Sequence, residues 1–71
     1  MYYIVELQTT DQTHGNIVKT ANDYNEAMST YYSIMAAAAI SNVKYHTCLV
    51  VDEHGAIHAT NCYEHINDIS E

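Results

Sequence analysis

The 71-residue chain is short of positive charge, because Lys19 and Lys44 are its only basic residues besides histidine, against nine Asp and Glu. Proteins that bind nucleic acid need several Lys or Arg to replace phosphate counterions, and anionic membranes attract the same side chains. We therefore expect no direct nucleic-acid binding and no membrane association. The formal net charge of −7 suits a soluble protein that could meet a basic partner.

Phe and Trp are also absent, whereas the chain has seven Tyr. Since each Tyr hydroxyl needs a partner or water, these residues are predicted at core edges, interfaces or ligand surfaces. The longest apolar run, residues 34–40, is far shorter than the ~20 residues of a membrane span, and no stretch has the pattern of a signal peptide. A cytoplasmic location is therefore expected, where the two cysteines would be free thiols.

A chain this short is predicted to form a single domain over residues 1–71. Segments rich in aromatic and β-branched residues predict strands. The predicted strands cover about residues 2–8, 16–21, 43–51 and 56–63. A turn-forming cluster at 9–16 joins the first two into a hairpin.

A helix is predicted between the second and third strands, at about residues 23–41. Apolar residues recur there at i, i+3, i+4 and i+7, and Asp23 with Glu26 has the spacing of a capping box. Residues 64–71 form an acidic tail. The predicted fold is α+β: a two-layer ββαββ arrangement in which one helix packs on one face of a four-stranded antiparallel sheet.

The loop between the last two strands predicts which residues share a face. DEHG favours a three-residue loop, residues 53–55, with Gly55 in the left-handed conformation. This register would pair Leu49 with Ala59 and His46 with Cys62. The face that contains Leu49 is the more apolar one, so it is expected to meet the helix together with the side chains of Tyr3, Val5 and Leu7.

The opposite face is then predicted to be open, with a mixture of polar and apolar side chains that is typical of a binding or dimer surface. Its predicted members are Tyr2, Ile4, Glu6, His46, Cys48, Val50, His58, Thr60 and Cys62.

The end of the predicted helix is apolar on all sides from Ile34 to Ile40, as in a helix that is covered all round. One reading is strong helix propensity alone, because Ala is the best helix former. The other is a second contact surface, covered either by a partner chain or by the rim of the sheet. Its predicted members are Tyr32, Ala36, Ala39 and Ile40.

Four of the five histidines and both cysteines lie within residues 45–65. These are zinc-binding residue types, but structural zinc ligands usually come in close pairs from tight loops. A three-ligand set of His46, Cys48 and Cys62 stays geometrically open, and no metal or other cofactor is predicted. A Cys–His pair could form a nucleophile. The sequence offers no oxyanion donor, glycine-rich loop or third orienting group for it, so no catalytic residue and no enzyme activity are predicted.

Three segments, YYIVELQ, DYNEAMSTYYSIMAAAAIS and VKYHTCLVVDEHG, resemble small uncharacterised proteins carried by phages and other mobile elements of gut bacteria. The resemblance implies a role in occupying a component of host defence or in sequestering its signalling molecule. It supplies no catalytic residues.

The leading functional prediction is a non-catalytic binding protein, a homodimer or higher oligomer, that inhibits a host defence protein by direct contact. One alternative is a sponge that holds a nucleotide signal between subunits. Another alternative is a small metal-binding domain.

Overall fold

The computed structural model describes residues 1–65, so the predicted acidic tail lies outside the described residues from position 66 onwards. The elements, in chain order, are β1 (Tyr2–Thr9), β2 (His14–Ala21), α1 (Tyr24–Ala39), β3 (Tyr45–Asp52) and β4 (Ile57–Glu64). The strands form one antiparallel sheet in the order β2-β1-β3-β4. The helix packs on one face of this sheet. The predicted two-layer ββαββ fold of class α+β is therefore confirmed.

The β1–β2 hairpin turns more tightly than the sequence indicates. The backbone N–H of Thr10 donates to the carbonyl of Thr13 over 2.8 Å, and β2 begins at His14. Gly15, which was predicted to lie in the turn, pairs with Gln8 inside the ladder. The predicted turn at 9–16 is therefore too long.

The helix begins as its capping residues predict. The Asp23 carboxylate accepts from the backbone N–H of Glu26 over 2.8 Å. The Glu26 carboxylate accepts from the N–H of Asn22 over 3.3 Å, one residue earlier than in a standard capping box. Within residues 1–65, no helix has the length and apolar character to cross a membrane. The residues that α1 buries against the sheet follow the predicted period and are Ala27, Tyr31, Ile34, Met35 and Ala38.

The helix covers the sheet face that the sequence indicated would be open. Ile4, Cys48 and Val50 have no exposed surface and form the core with the buried face of α1. Tyr3 and Leu7, predicted to lie under the helix, are 37% and 38% exposed. The prediction of the two faces is therefore wrong, and Ile4, His46, Cys48 and Val50 are buried where they cannot meet a partner.

A β-bulge also changes the pairing of β4. The predicted loop is confirmed, since Gly55 has φ +87° and Val51 pairs with Ile57. The next pair is Val50 with Ala59, so His58 is an extra residue in β4. Every later residue of β4 shifts by one position and changes face.

Candidate functional site

The uncovered face of the sheet, called the open face below, has an apolar centre that is exposed to solvent. Each strand contributes four residues, because side chains alternate between faces and paired residues point the same way. The sixteen residues are Tyr3, Val5, Leu7 and Thr9 of β1, His14, Asn16, Val18 and Thr20 of β2, Tyr45, Thr47, Leu49 and Val51 of β3, and Ile57, Thr60, Cys62 and Glu64 of β4.

Charge is nearly absent from the open face. It contains no Lys, Arg or Asp, and its single Glu and single His, Glu64 and His14, lie at one end of the sheet. The other Asp and Glu residues among positions 1–65 lie in turns, at the helix start or on the face under α1. The surface is therefore divided into a face with little charge and a mostly acidic remainder.

The middle of the open face is a continuous apolar strip. Val5 pairs with Val18 on one side and with Leu49 on the other. Val18 is 54% exposed and Ile57 is 62% exposed. Scattered apolar residues are normal on a protein surface, but contiguous apolar patches mark sites of contact with another molecule.

On the covered face, His46 holds a polar chain that joins the helix end to β1. Its Nε2 lies 2.5 Å from Oε2 of Glu6, and its Nδ1 lies 3.0 Å from Oγ of Ser41. Gln8 Nε2 donates to the same Glu6 oxygen over 3.0 Å. The sequence placed Glu6 and His46 on one face, but it gave no sign of the contact with Ser41. Glu6 lies diagonally across from His46, two residues away from its direct partner Gln8, and the sequence gave no signal for this register of β1 and β3.

The Ser41–His46–Glu6 order resembles the hydrogen-bonded chain of a nucleophile, a base and an orienting acid. Its surroundings favour a structural role. His46 is 4% exposed, and Ser41 Oγ already contacts the Ala38 carbonyl at 3.2 Å and the Val43 N–H at 3.4 Å. A surface depression of about 280 Å³ lies at the β1–β2 turn and shares only Gln8 with this polar chain; its lining residues are Gln8, Thr10, Thr13, His14, Gly15, Asn16 and Ile17.

A second histidine cluster lies at the other end of the covered face. His58 Nε2 is 2.9 Å from Oδ2 of Asp52, and its ring contacts Tyr2 and Tyr24 edge-on at 5.3 and 6.1 Å between centroids. The pKa of Asp52 falls to about 2, chiefly through the hydrogen bond with His58 and also through the Ala56 N–H. Tyr2 and His58, both predicted binding residues, are thus already engaged with each other.

The two cysteines point to opposite faces and are both free thiols. Burial raises the pKa of Cys48 to about 11, with a smaller contribution from the charge of Glu6. Cys62 is exposed on the open face, opposite Thr47. The ligand set of His46, Cys48 and Cys62, which the sequence left geometrically open, does not form, because Cys62 lies on the opposite face from His46 and Cys48. Over positions 1–65, no three His, Cys, Asp or Glu side chains are arranged to hold a metal ion.

The predicted helix-end surface lies on the outside of α1, away from the sheet. Tyr32 is 63% exposed and Ile40 is 88% exposed. Ala36 and Ala39 are exposed as well. This surface is available for contact, but it consists of one narrow helix stripe, whereas the open face extends over four strands.

No family model, curated protein or solved structure matches this chain. The geometry of its own residues therefore carries the functional argument.

Proposed function

We propose that the protein is a small non-catalytic binding protein that acts by contact with other proteins, and that the open face is its main contact surface. The observation that carries the proposal is the division of its surface: sixteen residues on one face with a single Glu and a single His, and acidic groups around it. Interface centres are depleted of charge in the same way and are surrounded by polar rims.

The polar clusters on the covered face support a non-catalytic role. His46 is bonded through both ring nitrogens, and His58 packs against Tyr2 and Tyr24. Cys48 has its pKa raised to about 11 by burial, which keeps the thiol protonated and a poor nucleophile at neutral pH. These groups fasten the helix to the sheet.

The resemblance to small proteins of phages and mobile elements gives the proposed setting. There, the protein would inhibit a component of host defence by occupying its surface. The net charge of −7 favours a basic region of that component, because opposite charges speed encounter and select partners.

The nucleotide-sponge alternative receives no support from the described residues. A nucleotide needs cationic groups or backbone amides for its phosphates. Lys44, one of the two lysines, is held 2.8 Å from Asp11.

Native mass spectrometry of the tagged protein, released directly from host cells without added ligand, tests the proposal. We expect a complex that contains a second protein molecule, either another copy or a host protein. Leu49→Glu, at the centre of the open face, should abolish the complex, whereas Ile40→Glu, on the outside of α1, should preserve it. A bare monomer, or a monomer with added mass of nucleotide size, would contradict the proposal.

A further inference from the structure

We infer that the occupant of the open face is a second copy of this chain, packed sheet against sheet, with a two-fold axis that runs along the strands. This inference rests on the proposed function, because it names the partner of the same surface. Four observations support it: the low charge of the face, the positions of His14 and Glu64, its size and the protection of the sheet edges.

The charge distribution favours a copy over a basic host protein at this face. A basic partner would be drawn to the acidic groups, but among residues 1–65 these lie around the open face, apart from Glu64. An uncharged apolar surface complements another uncharged apolar surface, and a second copy provides one. Two-fold dimers use the same patch on both subunits in this way.

The two titratable side chains at the corners of the face indicate the direction of the axis. His14 and Glu64 lie on opposite edge strands at the same end of the sheet, in the row His14, Thr9, Tyr45, Glu64. A two-fold axis along the strands exchanges the edges, so that β2 of each copy lies over β4 of the other. Each His14 then faces the partner's Glu64, at the rim, where polar groups stay hydrated.

The area of the face is sufficient for a specific dimer. Four strands about 4.8 Å apart, with eight residues each at about 3.3 Å per residue, cover roughly 500 Å². Two such faces bury roughly 1,000 Å², the lower limit for a specific interface. The apolar residues that would be covered include Val18 and Ile57, both more than half exposed.

The sheet edges are less suited to pairing with another chain than the face is. The β2 edge carries Lys19, and the β4 edge carries the bulge at His58. Charges and bulges on edge strands are common ways to prevent strand addition. The covered face is occupied by α1, so the open face is the large surface left for self-association.

Sedimentation velocity over a range of concentrations tests the inference. The wild type should be a dimer, and Leu49→Glu should raise the dimer dissociation constant at least about a hundredfold, because two like charges would meet at the centre without a counter-charge. Val18→Glu, at a position 54% exposed, should do the same with less risk to folding. Ile40→Glu is the matched control and should remain dimeric. Circular dichroism should show the same fold for all three variants.

Mixing provides a second readout that misfolding does not reproduce. Leu49→Lys alone should also be monomeric, whereas an equimolar mixture with Leu49→Glu should form heterodimers, because the axis passes between Val5 and Leu49 and places position 49 beside its counterpart. A wild type that stays monomeric up to about 100 μM would overturn the inference. A dimer lost in Ile40→Glu but kept in Leu49→Glu would overturn it too.

Cross-linking tests the axis. Asn16 and Cys62 lie in one row across the sheet, on opposite edges, so the axis brings Asn16 over the partner's Cys62. Asn16→Cys should therefore give strong dimer cross-linking with a short bismaleimide. The wild type and Lys19→Cys, whose new thiol would lie on the covered face, should cross-link weakly. Equal cross-linking of all three proteins would overturn this arrangement.

These experiments separate the inference from the proposed function. The purified protein could be monomeric while a host protein binds it in cells and no longer binds Leu49→Glu. In that case the inference of a second copy is wrong and the proposed binding function stands. If neither a second copy nor a host protein binds, both are wrong.

Discussion

On the face of the sheet under α1, His46 is buried and bonded to the partly buried Glu6, whereas on the open face Val18 and Ile57 are more than half exposed. The more polar face is thus the covered one. Burial of a charged or polar side chain is tolerated when it has hydrogen-bond partners. Every buried side-chain nitrogen or oxygen among residues 1–65 has such a partner. The comparison shows that pairing of polar groups, more than apolar content, distinguishes the covered face from the open one.

The two faces should respond very differently to loss of an apolar side chain. Ile4→Ala, on the covered face, should lower the free energy of unfolding by about 2–5 kcal/mol, because Ile4 is fully buried and a cavity would remain. Val18→Ala, on the open face, should change the free energy of unfolding of the monomer by less than about 1 kcal/mol. Urea denaturation at a protein concentration that favours the monomer measures both. Equal losses would mean that the open face is also packed within one chain.

The two cysteines extend the comparison to reactivity. The pKa of Cys48 is raised to about 11 by burial, so its thiolate population at pH 8 is very small. At a protein concentration that favours the monomer, we expect iodoacetamide to modify Cys62 at least about a hundredfold faster than Cys48, since Cys62 is exposed on the open face. Peptide mass spectrometry of timed samples gives both rates, and Cys62→Ser should remove the fast phase. Rapid modification of Cys48 in folded protein would contradict the assigned faces.

Substitution of one glutamate on each face should also change stability by different amounts. Glu6→Ala removes the partner of His46 Nε2 and of Gln8, and should lower the free energy of unfolding by about 1–3 kcal/mol. Glu64→Ala, at a corner of the open face, should have an effect within about 0.5 kcal/mol. Thermal and urea unfolding of both variants provide the test. A neutral Glu6→Ala would show that the buried chain through His46 contributes nothing to stability.

The smallest effect concerns acid stability. The folded-state pKa of Asp52 is lowered to about 2 from an ordinary value of 3.8, first through the hydrogen bond with His58. A lowered pKa means that the ionised form stabilises the fold, so this stabilisation is present above about pH 4 and is lost as pH falls towards 2. Asp52→Asn should flatten the loss of stability between pH 4 and pH 2 compared with the wild type. Identical pH profiles would show that the Asp52–His58 contact does not stabilise the fold.

Local patterns were sufficient to predict much of the fold. The apolar period of α1, the Asp23 cap and the Gly55 turn each act within a few residues, so the element order and the β3–β4 loop are confirmed. The bulge at His58 had no sequence signal, because the loop alone determines the first pairs of the ladder only. That single extra residue separated His46 from Cys62.

Which face of the sheet the helix covers depends on strand pairing between residues that are far apart in sequence. β2 and β3 run parallel with β1 between them, so α1 is a crossover connection. Such connections are right-handed in nearly all proteins, and this hand, together with the pairing pattern, decides which face a helix covers. A comparison of the apolar content of the two faces does not include this constraint. Glu6 and His46 were predicted on the open face because nothing in the sequence indicated their hydrogen bond.

Hydroxyl-radical footprinting at increasing protein concentration tests the central claim, that the open face is the contact surface, most directly. Tyr3 and Tyr45 lie on the open face, whereas Tyr24 and Tyr32 lie on the helix, and all four are at least 37% exposed. We predict that oxidation of Tyr3 and Tyr45 falls as the protein associates, while oxidation of Tyr24 and Tyr32 is unchanged. Protection of Tyr32 with unchanged oxidation of Tyr3 would contradict the claim.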